Sequence, residues 1–328
     1  MIRSAGWFAA LSGALIAFSV IYIAFGDMSI PVERVVQALF GEGLAEETLV
    51  VRELRAPRLV VAVLTGASLA VAGAILQGVF RNPLAAPDLV GITGGAAAAA
   101  ASFLTFRSAA VSIGWLPAAA MCGAGFVSML IYLFAWKKGV APSRLILVGI
   151  GIGALTGAYT KALLVFGNEY TAADAYLWLT GTIYASSWKH VLMLAPWTVV
   201  FLLLAVYQGR NMNVLALTDD SAISVGNNVG RSRFTLIVIS VGLAGSAVAI
   251  GGVIGFVGLI GPHIARRLVG PGAHKLIPMA AICGSLIVVA ADFVARTAFL
   301  PYDLPVGVFT AGVGAPFFIY LLYRSRKR

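Results

Sequence analysis

Apolar runs long enough to cross a bilayer recur along this chain from one end to the other, and they leave few folds open to it. A helix needs roughly 20 mostly apolar residues to cross the hydrocarbon core. Ten segments qualify or come close: 7–26, 59–79, 90–106, 114–136, 145–167, 191–207, 234–254, 255–268, 276–295 and 306–323. The composition agrees, with 60% hydrophobic and only 11% charged residues, where a soluble domain carries about 25% charged. The expected fold is therefore an all-α polytopic membrane protein with about ten transmembrane helices. Residues 1–328 form a single domain on this reading. The 37 glycines suit a tight bundle, since small residues let membrane helices approach closely. The eighth segment is short and rich in Gly and Pro. It reads as a broken helix that crosses only in part, which is tolerated where protein covers the backbone.

The basic residues orient the bundle. With both termini in the cytoplasm, fifteen of the 23 Lys and Arg fall on the inner side, against three acids, Asp88, Asp219 and Asp220. The outer side keeps eight basic and ten acidic residues. The net charge of +10 thus gathers at one membrane edge, and a nucleic-acid partner is rejected. The N-terminus has the basic start and apolar core of a signal peptide. Its apolar run is too long, however, and Ala24-Phe-Gly-Asp27 is a poor cleavage site, so it reads as an uncleaved first span.

Two polar segments are long enough to fold. In the extracytoplasmic segment 27–58, Ser29 is a candidate cap for a short helix with Pro31 in its first turn. In the cytoplasmic loop 208–233, Leu215-Ala-Leu-Thr218-Asp-Asp-Ser-Ala-Ile-Ser-Val-Gly226 predicts an amphipathic helix from about Thr218, with acids in its first turn and an end at Gly226. Asp292 and Arg296 stand one helical turn apart inside an apolar segment, a spacing that favours pairing. Arg58 opens one Gly/Ala-rich span ending near Asn82-Pro83, and Arg233 opens another followed by Gly261-Pro262. The two would run in opposite senses, as in the inverted repeats of transporters. Cys122 and Cys283 lie in apolar runs and read as small buried hydrophobes. No metal-ligand spacing, no phosphate-binding Gly-x-x-x-x-Gly-Lys-[Ser/Thr] loop and no Ser/His/Asp constellation is present. The chain is expected to be no enzyme and to hold no cofactor or metal.

Several strings are more specific. Leu54-Arg-Ala-Pro-Arg58 leads into Gly66, Gly73 and Gln77. Asn82-Pro-Leu-Ala-Ala-Pro-Asp88-Leu-Val-Gly91-Ile-Thr-Gly-Gly-Ala96 follows, then Trp178-Leu-Thr-Gly181. Near the C-terminus stand Gly255-Phe-Val-Gly-Leu-Ile-Gly-Pro-His263-Ile-Ala-Arg-Arg267, Ala291-Asp-Phe-Val-Ala-Arg296 and Leu304-Pro-Val-Gly-Val-Phe-Thr-Ala-Gly-Val-Gly-Ala-Pro316. In this order they resemble the permease subunits of ATP-driven importers for ferric siderophores, haem and cobalamin. The resemblance runs from about residue 50 onward. It departs at Asp303, where the family usually has Glu, and at Leu217-Thr218 and Val225-Gly226 in the inner loop.

The resemblance implies a permease in the bacterial plasma (inner) membrane, paired with a second copy or a paralogue. Two ATPase chains would use ATP and Mg below it, and an extracytoplasmic substrate-binding protein would sit above. Arg55, Arg58 and Arg296 match the family's docking arginines for acidic residues on that protein, although as residues alone they read equally as interfacial arginines reaching for headgroups. Leu215, Leu217, Asp219, Asp220, Ala222, Ile223, Val225 and Gly226 match the segment that sits in a groove of the ATPase, although a solvated surface helix has the same pattern. Pro142 and Ser143 match a turn at the cytoplasmic gate, and Asn82, Pro83, Pro262 and His263 belong to structural motifs. The Pro87-to-Gly91 wording is closest to the iron-siderophore branch; haem and cobalamin are the alternatives. The intramembrane charges Lys161 and Asp292 leave an ion-coupled secondary carrier as the rival class.

Overall fold

The computed structural model describes residues 2–108, 110–136 and 142–325. Among these residues the regular structure is helical. The helices are α1 (Ile2–Ala24), α2 (Val32–Phe40), α3 (Ala45–Leu49), α4 (Ala56–Phe80), α5 (Ile92–Phe106), α6 (Leu116–Ala135), α7 (Pro142–Phe166) and α8 (Glu169–Leu179). After them come α9 (Trp188–Tyr207), α10 (Gly209–Leu215), α11 (Asp219–Ser224), α12 (Val229–Gly251), α13 (Val257–Val269), α14 (Ala273–Thr297) and α15 (Val306–Ser325). A π-helical turn, Val50–Arg55, joins α3 to α4 without a break.

Every expected span coincides with a helix, but they differ in reach. Among the described residues seven are long and apolar enough to cross a membrane: α1, the α3–α4 helix, α6, α7, α9, α12 and α14. Helix α5 is apolar but shorter, with 15 residues, whereas α15 spans 20. Helix α13, the expected eighth span, has only 13 residues and ends in Arg266 and Arg267.

Helix α4 is the hub. Its apolar window is 83% buried, against 17% for that of α1, and it packs against α14, α12, α13 and α9. Small residues allow this. Gly66 and Gly284 meet where α4 crosses α14, and a Cβ on either would fall 2.2–2.3 Å from the other's carbonyl oxygen. Gly73 faces α13, where a Cβ would stand 1.8 Å from the Gly258 carbonyl oxygen. Pro262, four residues after Gly258, has no N–H to offer that carbonyl. The freed oxygen and the bare Gly73 backbone therefore belong to one contact. Helices α5, α6 and α7 form a second packed group.

The chain is unwound between α12 and α13. Gly252 has φ +66° and Phe256, a non-glycine, also has φ +66°. The Phe256 ring lies on Gly314 of α15, where any Cβ would meet it at 2.2 Å. Beside this break runs the turn after α8, where Gly307 donates its N–H to the Gly181 carbonyl at 2.9 Å. The irregular backbone is thus enclosed by protein, as a non-helical segment at this depth requires.

Three local expectations are corrected, the first being Cys122, which is exposed on this chain whereas Cys283 is buried. Helix α2 begins at Val32 with Pro31 as N-cap and no side-chain cap. Ser29 does not cap it, because the fixed φ of Pro31 already sets the turn. Asp292 and Arg296 form no ion pair with each other, because each has a better partner on another helix, described next.

Candidate functional site

Arg55, Arg58 and Arg296 come together at one end of the bundle, around a cavity of about 520 Å³ that all three line with Glu53, Tyr184 and Asp303. They are buried, at 6%, 9% and 9% exposure. The Arg58 guanidinium holds two carboxylates. Its Nη2 donates to Asp292 Oδ1 at 2.7 Å and to Asp303 Oδ1 at 2.8 Å, and its Nε donates to Asp292 Oδ2 at 3.0 Å. The Tyr22 hydroxyl donates to Asp292 Oδ2 as well. Four segments are thereby joined: α1, α4, α14 and the loop after α14.

The other two arginines close the end of α1. A helix leaves its last carbonyls without intrahelical donors, and cations favour that end. Arg55 Nη1 donates to the Ile23 carbonyl at 2.6 Å and Nη2 to that of Met28 at 2.5 Å. Arg296 Nη2 donates to the carbonyls of Tyr22 and, at 2.9 Å, Phe25, while its guanidinium lies 4.1 Å from the centre of the Tyr22 ring. Gly26 makes the crowding possible, since a Cβ there would be 2.7 Å from Arg55 Nη2. Arg296 Nε is buried and has no hydrogen-bond partner among the described residues. Reading the sequence did not find Tyr22 or the pairing of Asp292 with Arg58, 234 positions apart. The available signals were an acid inside an apolar helix and the Asp at 303.

A second constellation sits at the other end of α4. Helix α11 is capped by Thr218, whose hydroxyl accepts from Ser221 N at 3.3 Å. Asp219 Oδ1 accepts from Arg81 Nη2 at 2.5 Å and from Arg233 Nη2 at 2.7 Å. Arg81 follows the last residue of α4 with φ +50°, and its Nε donates to the Leu215 carbonyl at 2.8 Å. The loop is thus tied to the ends of α4 and α12. Burial alone would raise the Asp219 carboxyl, but the bonds from Arg233 and Arg81 outweigh it and hold it below its ordinary value of 3.8. Leu215 and Ala222 are buried, while Leu217, Ile223 and Val225 are 50%, 60% and 65% exposed. Asp220 is exposed, and Gly226 ends the segment with φ +78°.

The remaining expected residues fall elsewhere. Asn82 Oδ1 accepts from Leu84 N at 2.9 Å, which builds the turn that Pro83 belongs to. Pro262 lies inside α13, and His263 sets its ring edge-on to Phe317 at 5.5 Å. Helix α7 starts at Pro142 and Ser143 is exposed. The turn before them, 137–141, lies outside the described residues.

Comparison with known proteins agrees with this helical fold. Residues 14–324 match the model of the FecCD transport family. The probable siderophore transport system permease YfhA of Bacillus subtilis (strain 168) is 44% identical over 325 residues, covering 98% of this chain and 95% of the relative. The achromobactin transport system permease CbrC of Dickeya dadantii (strain 3937) is 44% identical over 312 residues, covering 95% and 89%. A solved structure described as a metal-chelate type ABC transporter in an inward-facing conformation superposes with a TM-score of 0.85 at 28% identity, covering 98% of this chain and 99% of its own. The chain belongs to the FecCD transport family, as a multi-pass membrane permease.

Proposed function

We propose that this permease works in an ATP-binding-cassette importer of the bacterial inner membrane and carries a ferric siderophore or another ferric chelate. Ten crossings with both termini in the cytoplasm complete the reading, and the chain acts beside a second copy or a paralogue. ATP and Mg are used by two separate ATPase chains; this chain holds no cofactor. The observation that carries the proposal is the α10–α11 segment. It presents Leu217, Ile223 and Val225 outward while Asp219 ties it to α4 and α12. An apolar patch on a short helix fits a groove in a partner. A push on that patch is delivered to the ends of two packed helices. The gate at Pro142 and Ser143 would respond to it.

The extracytoplasmic binding protein docks over the arginine cavity. Arg55 and Arg296, whose hydrogen bonds go to backbone carbonyls, leave positive charge beside the cavity for a partner carboxylate to meet. A charge-assisted bond at a partly dry interface is worth about 1.5–3 kcal/mol, so its loss weakens docking roughly ten- to a hundredfold.

The substrate class rests on relatives named for siderophore and achromobactin transport. Vesicles holding the permease, its ATPase and its binding protein should accumulate radiolabelled ferric siderophore when ATP is inside. Excess unlabelled ferric chelate should compete and cobalamin or haem should not. Competition by cobalamin or haem, without uptake of iron chelate, would move the chain to the other branch of the family.

A further inference from the structure

A second cavity, of about 600 Å³, opens between the starts of α6 and α9 and the last turns of α12. Its chemistry is divided. One end holds Ser112 and Lys189. The rest is walled by Met193, Ile250 and the rings of Trp115 and Trp197. Tryptophans gather at the membrane–water boundary, where one edge is wet and the other apolar. Trp115 and Trp197 are 64% and 46% exposed on this isolated chain, so the cavity opens on the surface of the bundle.

Lys189 is oddly placed for a purely structural residue. It is the second residue of α9, where the helix end carries partial positive charge and disfavours a cation. Among the described residues it forms no ion pair. Its ammonium reaches Gly114, where an added Cβ would stand 3.5 Å from Nζ, so the bare glycine leaves room beside the charge. The Ser112 hydroxyl accepts from Gly114 N at 3.2 Å, which leaves its own proton free to be donated. A cation and a hydroxyl above an apolar slot call for a ligand with an anionic head and a hydrocarbon tail.

We propose that this cavity binds one anionic phospholipid. Lys189 and Ser112 hold the phosphate, and an acyl chain runs between Met193, Trp197 and Ile250. The wild-type chain is placed in bilayer discs with equal phosphatidylglycerol and phosphatidylcholine, and native mass spectrometry counts the lipids it retains. The wild type should keep one phosphatidylglycerol with about tenfold preference. Lys189→Ala should erase the preference and Lys189→Arg should keep it. Met193→Trp, which fills the slot, should lose the retained lipid of either kind. A parallel arm adds inorganic phosphate to the protein in phosphatidylcholine and follows its melting. Protection there equal to that of phosphatidylglycerol would mean a free-anion site and overturn the lipid. No headgroup preference in the wild type, an unchanged preference in Lys189→Ala, or retained lipid in Met193→Trp would each overturn the proposal. The wild-type comparison needs no variant, so it decides even if a substitution misfolds.

Discussion

Arg58 shows how an expensive charge is kept in an apolar bundle: one guanidinium satisfies Asp292 and Asp303 together. Removing one partner of a buried pair leaves the other uncompensated, at about 3–5 kcal/mol. Arg58→Ala is therefore expected to lower the melting temperature in detergent sharply. Asp292→Asn should be milder, because Arg58 still holds Asp303; the loss is then about 1–3 kcal/mol for an imperfect buried bond. Equal, small effects from both would show the network to be dispensable. Asp219 gives a pH test. Its carboxyl is held below 3.8 in the folded chain, so its stabilising effect is complete above that ordinary value and fades as pH falls through the lowered one. The mobility of a spin label attached beforehand, at neutral pH, at position 223 should rise over that acid range, and Asp219→Asn should flatten the dependence. The effect is modest because Asp219 is partly exposed and screened. The sequence made the arginines, Asp219 and Thr218 legible by type and place. It could not show that Arg55 and Arg296 bond the carbonyls at the end of α1, since nothing local to residues 55 or 296 encodes a partner more than thirty positions away.

Helix positions followed from apolar run length, which is why α4, α12 and α14 fall where hydropathy puts them. Short helices followed only where caps were read. Thr218 announced α11, whereas α8 passed unnoticed although Asn168 caps it, accepting from Tyr170 N at 3.1 Å, with Glu169 next. Helices as short as α8 and α10 have no apolar run long enough to cross a bilayer and betray them. The Gly/Pro-rich eighth segment, 255–268, was expected to be a broken helix; the unwound stretch is 252–256, just before α13, and its fit against Gly181 and Gly314 depends on tertiary contact. The contact between Gly73 and Gly258 carries the sharpest expectation at this scale. Gly73→Ala would drive a Cβ into the Gly258 carbonyl oxygen, and neither backbone can retreat without separating α4 from α13. Overpacking of this kind costs about 1–3 kcal/mol or more. Expression of folded protein, followed by size-exclusion in detergent, should drop well below that of Gly125→Ala, whose site is open. Equal yields would mean the helices can part freely.

The whole chain works by having different chemistry at its two ends. A cluster of buried arginines gathers around a cavity at one end, and a tethered helix with an exposed apolar patch lies at the other; α4 runs between them from Arg58 to Arg81. Such an arrangement has no use for a carrier that works alone, because the patch then faces only water. The decisive measurement is uptake of ferric siderophore into vesicles, with binding protein outside and ATP inside, in three preparations: permease alone under an imposed proton gradient, permease with its ATPase, and the Ile223→Asp/Val225→Asp variant with the same ATPase. Uphill uptake should occur only in the second. The third should lose both uptake and co-purification of the ATPase while melting like the wild type. Uphill uptake by the permease alone, or unimpaired uptake by the variant, would contradict the account.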